Sequence, residues 1–191
     1  MKGGKCVCLL AAGLILLPLA PRRAPAQAPG SSPGSAAAVG QPLTDIVECG
    51  EGYTSHELYD MTLTVLEVVR GEDAWKRLAA AGPSNPPAAA GSEYLLARIR
   101  FEYRARTLPG LCVHRLTPDK FTLYSADGED YPQAPAAPPA PELRAEMKSG
   151  DAFEGWVVFM VARQDRAPLM SYTAGSGGAV RHGVPKWFVL K

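Results

Sequence analysis

The chain has few of the residues from which catalytic and metal sites are built. Its three histidines, His56, His114 and His182, lie far apart and share no spacing with a cysteine or carboxylate motif. The four cysteines lack zinc-ligand spacing, and the Gly-x-Ser-x-Gly element of serine hydrolases is absent. The sequence therefore predicts no catalytic residue and no cofactor, and it places the histidines on the surface or in loops.

An apolar run long enough to span a membrane comfortably, about 20 residues, is also missing. The one long apolar run, from Cys6 to Leu19, follows a basic start and precedes the small-x-small sequences Ala24-Pro25-Ala26 and Ala26-Gln27-Ala28. This order predicts a signal peptide over residues 1–26, with residue 28 as the alternative cleavage position. After cleavage we expect no stable membrane insertion; an uncleaved N-terminal membrane anchor is the alternative.

A strong excess of charge of either sign is absent too. The signal peptide holds four of the 20 basic residues and none of the 19 acidic ones, so the remainder carries a net charge of −3. General nucleic-acid binders show a strong basic excess, and this class is set aside. The chain is expected to be secreted, either extracellular or periplasmic.

Cleavage would also leave only two cysteines, Cys49 and Cys112. An even number of cysteines in an oxidising compartment predicts a disulfide between them. Closing so long a loop contributes roughly 4 kcal/mol in the chain-entropy treatment. Two unpaired thiols are the alternative.

The remaining chain divides into a linker and a domain. Residues 27–42 consist of small residues, proline and glutamine with no charge, which predicts a disordered linker. Residues 43–191 then form one folded domain of ordinary size.

Period-two alternation predicts strands in this domain. Tyr59–Arg70 alternates until the pattern slips at Leu66, which predicts a bulge. Glu93–Arg106 alternates between an apolar and a charged face. Phe153–Val161 is apolar on both faces and reads as a buried central strand, in which Gly155 permits a close approach.

Shorter strands are predicted at Lys120–Tyr124, Leu169–Tyr172 and Trp187–Leu190, and one short helix follows Gly71 and ends at Gly82. Many short strands, few helices and turn-rich connections predict an all-β, antiparallel β-sandwich with one short helix. A small closed barrel is the alternative.

A series of segments carries a resemblance to a known family: 71–75 (GEDAW), 93–98 (EYLLAR), 121–123 (FTL) with Gly128 and Tyr131, Gly150 with 155–159 (GWVVF), and 187–190 (WFVL). Their order resembles the bacterial exported family known as domain of unknown function 4352, over about Leu58 to Lys191. That family is similar in fold to mycobacterial immunoprotective extracellular proteins, so the resemblance implies an immunoglobulin-like sandwich. It offers no established catalytic residues to transfer. Many relatives look like lipoproteins, whereas this chain lacks a lipid-anchor cysteine.

Two clusters of charged residues are candidate sites. Asp127, Glu129 and Asp130 surround Gly128 and are weak candidates for a calcium site, but Asp-Gly favours a hairpin turn. A second cluster lies on one face of the strand from Glu93 to Arg106.

In that strand, Arg98, Arg100 and Arg104 lie about 7 Å apart on the charged face, with Glu102 among them. Such a stripe is suited to an anionic polymer. The sequence favours the alternative, in which the arginines pair with acids of the neighbouring strand.

These features predict a secreted, non-enzymatic β-sandwich that binds an unidentified envelope protein, extracellular protein or anionic polymer. One alternative is an extracellular hydrolase or metal-dependent module, in which His114 or His182 would meet carboxylates. Another is a structural envelope protein that contacts its partner complex through the proline-rich loop 132–141.

Overall fold

The computed structural model describes residues 27–49, 57–107, 110–174, 180–181 and 184–191. The predicted signal peptide, residues 1–26, lies outside this part of the chain. The strands are β1 Leu43–Cys49, β2 Glu57–Arg70, β3 Ser92–Ala105, β4 His114–Leu116, β5 Phe121–Tyr124, β6 Ala145–Met147, β7 Ala152–Ala162, β8 Leu169–Tyr172, β9 Val180–Arg181 and β10 Lys186–Val189. The described residues also form one α-helix, α1 Glu72–Ala81, and two 3₁₀ turns, Pro33–Ser35 and Pro118–Lys120.

The strands build an antiparallel β-sandwich. Five strands join in the order β7-β3-β2-β1-β9, three in the order β10-β8-β5, and β4 pairs with β6. Every pair of these strands is antiparallel, and over the described residues the sheets do not close into a barrel. The predicted all-β sandwich is therefore confirmed, and the alternative of a closed barrel is wrong.

Strand β3 contributes much of the core of the five-stranded sheet. Its inward side chains are at most 1% exposed: Leu95, Ala97, Ile99, Phe101 and Tyr103. Because successive side chains of a strand point to opposite faces, the residues between them point away from this core. Near the start of β3 these outward residues are apolar and buried beneath α1, and farther along they are charged and partly exposed.

The bulge predicted in β2 is present. The pairing of β2 with β3 shifts between Val65 and Glu67, where the sequence pattern slips at Leu66. Beyond the shift, Val68 packs against the main core and Val69 against a second apolar cluster beneath α1. The bulge thus lets the end of β2 contribute to both clusters.

Helix α1 covers one end of the outward side of the five-stranded sheet. Ala74 and Leu78 are fully buried in the second cluster, and Gly82 follows the last helical residue as predicted. Trp75 is only partly buried, and its ring stacks on Tyr94 with centroids 6.1 Å apart. Among the described residues, no helix has both the length and the apolar character needed to cross a membrane.

Strand β7 is an edge strand of the five-stranded sheet, so the predicted central position is wrong. It is apolar on both faces because one face packs in the main core and the other in the second cluster. The proline-rich loop 132–141 lies against this strand. Gln133 forms an antiparallel bridge with Phe159. The amide of Asn85 holds the loop from the other side, because it accepts the backbone N–H of Ala137 at 2.9 Å. The loop therefore covers part of an edge that would otherwise offer unpaired backbone groups to other chains.

The segment 27–42, hereafter the N-terminal strap, is not the disordered linker that its composition predicts. Ala37 is 1% exposed and belongs to the main core. Its N–H donates to the carbonyl of Trp187 at 2.8 Å, and its carbonyl accepts the N–H of Val189 at 2.9 Å. Small side chains let the strap backbone lie close to β10, so backbone pairing orders a segment that has little apolar surface. The folded domain begins before residue 43.

Replacing Ala37 with Asp is expected to detach the N-terminal strap and to lower the free energy of unfolding by about 1–3 kcal/mol. Burying an unpaired carboxylate is costly, but the strap can leave the sheet, so the loss is limited to its docking energy. Limited proteolysis with mass measurement should reveal new cleavage within residues 27–42. Ala38→Asp changes an exposed neighbour and should have neither effect; equal protection of both variants would contradict the docked strap.

Candidate functional site

The predicted arginine stripe lies on the outer face, the side of the five-stranded sheet turned away from the main core. Strand β3 places Arg98, Arg100, Glu102 and Arg104 there, because each alternates with a buried residue of the core. Next to them in β7, Glu154 lies directly opposite Arg100. The structure therefore brings the three predicted arginines together on one surface, together with a carboxylate from a second strand.

Two of the three arginines are held by carboxylates. Arg100 Nη2 lies 2.8 Å from Glu102 Oε1 and its Nη1 lies 3.3 Å from Glu154 Oε1. Arg98 Nη2 lies 3.7 Å from Glu154 Oε2. The hydrogen bond and charge of Glu102, with a smaller contribution from Glu154, raise the pKa of Arg100. Because these side chains are 40–44% exposed, the pairs order the surface but contribute little stability.

Arg104 differs from its neighbours in the stripe. It is exposed and lies opposite Asp60 of β2, but the Asp60 carboxylate is taken by Arg106, whose Nε lies 2.8 Å from Oδ1. Among the described residues Arg104 forms no ion pair. It is the arginine of the stripe whose guanidinium is available to a carboxylate from outside the domain.

Helix α1 borders the outer face through Arg77, a residue that the sequence does not indicate as part of this surface. Arg77 of α1 lies 3.0 Å from Glu67 through Nη2 and Oε1, and its guanidinium carbon is 5.3 Å from the ring centroid of Trp156. This cation–π contact ties the helix to β7 beside Arg98. No local pattern in the sequence predicts it, since the contact depends on how the helix docks on the sheet.

The acidic turn lies at the end of β5. The Gly128 N–H donates to the Ser125 carbonyl at 2.9 Å, and Gly128 has the positive φ of 85° that favours glycine. Asp127, Glu129 and Asp130 are exposed around it. Within the described residues, no three histidine, cysteine or acidic side chains converge in a way that could hold a metal ion. The structure thus has the predicted hairpin turn at this position.

His114 is not the surface or loop histidine that the sequence predicts; His56 and His182 lie outside the described residues. The His114 side chain is 1% exposed, stacks on Phe101 with centroids 5.2 Å apart, and shares a 2.9 Å hydrogen bond with the Tyr172 hydroxyl through Nε2. Burial, helped by the nearby charge of Lys120, lowers the pKa of His114 to about 3. The imidazole is therefore neutral and belongs to the core.

The structure contains the predicted disulfide. Cys49, at the end of β1, is bonded to Cys112, and their Cα atoms lie 6.3 Å apart, within the usual range for disulfides. Cys49 is fully buried and Cys112 is partly buried. The bond ties the connection between β3 and β4 to the five-stranded sheet.

Comparison with known proteins shows a structural likeness to a solved protein. No family model matches the chain, so the resemblance to domain of unknown function 4352 stays a prediction. No curated protein matches the chain either. A crystal structure of a "putative lipoprotein (ycdA)" from Bacillus subtilis superimposes with a TM-score of 0.49 and 14% sequence identity. The match covers 68% of this chain and 35% of the other, so this chain spans about a third of that protein's length.

Proposed function

We propose that the chain is an exported, non-enzymatic binding module that acts in the bacterial envelope or outside the cell. The export-type start of the sequence and the disulfide between Cys49 and Cys112 support an oxidising location. The observation that carries the binding role is the outer face. Its charged side chains are exposed yet held in place by ion pairs, so a partner meets a largely preformed surface.

The partner is a protein rather than an anionic polymer. A polymer of phosphates or uronic acids is attracted by uncompensated positive charge, but Arg98 and Arg100 are already matched by Glu154 and Glu102. A surface of alternating charges suits another surface of alternating charges, where complementarity fixes the register and excludes wrong partners. In this arrangement Arg104 receives a carboxylate of the partner.

Reversing two charges of the stripe, by Arg98→Glu and Arg100→Glu together, is expected to weaken binding of the protein partner about tenfold or more. The substitution sets four carboxylates side by side and destroys the complementary pattern. The partner is first isolated from envelope and culture-medium fractions with the unchanged protein, identified, and purified. Its dissociation constant is then measured for both proteins at two salt concentrations.

The control reverses two arginines elsewhere on the surface, Arg115 and Arg144. Each is exposed and forms an ion pair with a nearby glutamate, at 3.6 Å and 3.1 Å respectively, so the change in net charge is the same. The control should bind as the unchanged protein does. Equal affinity of all three proteins would leave the stripe a solvated surface, and retention on polyphosphate beads alone, lost in high salt, would identify an anionic polymer instead.

A further inference from the structure

Glu57, the first residue of β2, binds the loop that carries Cys112. Its carboxylate accepts three consecutive backbone N–H groups, from Gly110 at 3.1 Å, Leu111 at 2.9 Å and Cys112 at 3.2 Å. The Tyr59 hydroxyl donates to the same carboxylate and accepts the Cys112 N–H at 2.8 Å. One carboxylate thus binds the three consecutive residues from Gly110 to Cys112.

The segment from Gly110 to Cys112 resembles an anion-binding loop in which the anion is the Glu57 carboxylate. Successive N–H groups that converge on one point form a concave site for negative charge, and the positive φ of Gly110, 66°, is of the kind that glycine adopts without strain. The hydrogen bond from Tyr59, and those from the loop, lower the pKa of Glu57 despite some burial. The carboxylate is therefore ionised at neutral pH.

Glu57 also lies beside the other cysteine. In the register of β1 and β2, Cys49 and Glu57 are directly opposite each other. The β-ladder therefore fixes Cys49 relative to Glu57, and the loop hydrogen bonds fix Cys112 relative to the same residue. Both cysteines are therefore positioned relative to one residue, Cys49 by the backbone pairing of Glu57 and Cys112 by its side chain.

We propose that Glu57 is a positioning residue for the Cys49–Cys112 bond, and that occupancy of the loop by its carboxylate and formation of the disulfide favour each other. In the reduced protein the carboxylate holds Cys112 beside Cys49 and raises the effective concentration of one thiol at the other. In the oxidised protein the disulfide holds the loop on the carboxylate. Such coupling is reciprocal by thermodynamic necessity.

The reaction needs a disulfide oxidant, for which glutathione disulfide serves as the probe. The thiolate of Cys112, the less buried of the two cysteine residues, attacks the oxidant, forms a mixed disulfide and releases one glutathione thiolate. The Cys49 thiolate then attacks the Cys112 sulfur and releases the second glutathione. The two cysteine protons end on the two glutathione thiolates, so two protein thiols and one oxidant disulfide give one protein disulfide and two glutathione thiols.

The test equilibrates the protein with mixtures of glutathione and glutathione disulfide. It measures the ratio of the squared glutathione concentration to the glutathione disulfide concentration at which half the protein is reduced; a higher ratio means a more stable protein disulfide. Glu57→Ala is expected to lower this ratio about tenfold or more, because hydrogen bonds to a charged group are among the stronger ones. Added acetate should restore part of the loss in Glu57→Ala, whereas chloride at equal ionic strength should not. Glu146→Ala, an exposed residue of β6, is the control and should behave as the unchanged protein.

Two further measurements separate positioning from a general loss of stability. Glu57→Gln keeps the size and one acceptor oxygen but removes the charge, and it should fold and still show a lowered ratio. The free energy lost by Glu57→Gln should also be smaller when Cys49 and Cys112 are both replaced by Ser than when the disulfide is intact. An unchanged ratio in both Glu57 variants, or an equal loss in the two backgrounds, would overturn the proposal.

Discussion

Lowering the pH from 7 to 4 is expected to reduce the free energy of unfolding by about 3 kcal/mol through His114 alone. The folded protein holds this imidazole neutral, since its pKa is lowered to about 3 from an ordinary value near 6.5. Among the residues that the structure describes, no carboxylate compensates a charge on His114, which contacts the rings of Phe101 and Tyr103 and the hydroxyl of Tyr172. The nearby Lys120 ammonium adds repulsion.

The direction follows from proton binding. Between pH 6.5 and 3 the unfolded chain protonates His114 and the folded one does not, so acid favours unfolding over this window. The contribution of His114 is fully present above about pH 6.5 and is lost as the pH falls toward 3. Glu57, whose pKa is lowered in the fold, acts in the same direction at more acidic pH.

Urea unfolding at a series of pH values checks this expectation in the unchanged protein and in His114→Gln. The variant keeps all the carboxylates, so the difference between the two curves isolates the histidine. The unchanged protein should lose stability more steeply, by up to one additional proton, between pH 6.5 and 4. Parallel curves would show that His114 titrates normally, as would an imidazole NMR titration with a midpoint near pH 6.5.

The burial of His114 illustrates what a local pattern leaves undetermined. Residues around it alternate only weakly, and three residues of β4 give too short a window to assign an inward face. Its partners, Phe101 and Tyr172, come from β3 and β8. His114 becomes a core residue only when β3 and β8 pack around it, and no residue spacing in the sequence predicts that packing.

The N-terminal strap shows that amino-acid composition alone does not decide whether a segment is ordered. Its residues have too little apolar surface to form a core of their own, which is why the sequence predicts disorder. In the structure it needs no core of its own, because β10 supplies backbone partners and the sandwich supplies a place for Ala37. By contrast, the alternation of β3 was enough to predict both its buried and its charged face.

The sequence predicts where the arginines of the outer face lie but not which carboxylates they pair with. The stripe of Arg98, Arg100 and Arg104 follows from period two alone. Its ion pairs with Glu154 depend on β7 being the strand next to β3, although β7 lies more than fifty residues along the chain. The apolar sequence of β7 predicts a central strand, whereas the structure places it at the edge of the sheet. Likewise, the guanidinium of Arg104 is available to a partner because Arg106 forms the ion pair with the Asp60 carboxylate.

Replacing Gly155 with Ala is expected to lower the free energy of unfolding by about 3 kcal/mol. The sequence predicts a close approach at this glycine, and the structure shows its extent. A Cβ atom at position 155 would lie 2.7 Å from the Leu143 Cα and 2.8 Å from its backbone nitrogen. Backbone atoms cannot turn aside as a flexible side chain can, so the segment around Leu143 must move.

That movement is costly because the segment is fixed on both sides of the contact. The Leu143 N–H donates to the Trp156 carbonyl at 3.0 Å, and the Trp156 N–H donates to the Pro141 carbonyl at 2.8 Å. Leu143 itself is fully buried in the main core, so displacement opens space there as well as breaking backbone pairing. Alanine otherwise suits a structured backbone better than glycine, and a measured loss must therefore come from the contact.

Gly34→Ala is the matched control for this change. Gly34 has no positive φ and no atom within 4 Å of the added methyl group, so its substitution should alter stability by less than about 0.5 kcal/mol. Thermal and urea unfolding of both variants give the comparison. Gly155→Val should be worse than Gly155→Ala, because two further methyl groups meet the same backbone. A Gly155→Ala protein as stable as the control would mean that Pro141 to Leu143 can withdraw from β7 at little cost. The edge of the five-stranded sheet at Trp156 would then be open to pairing with another chain.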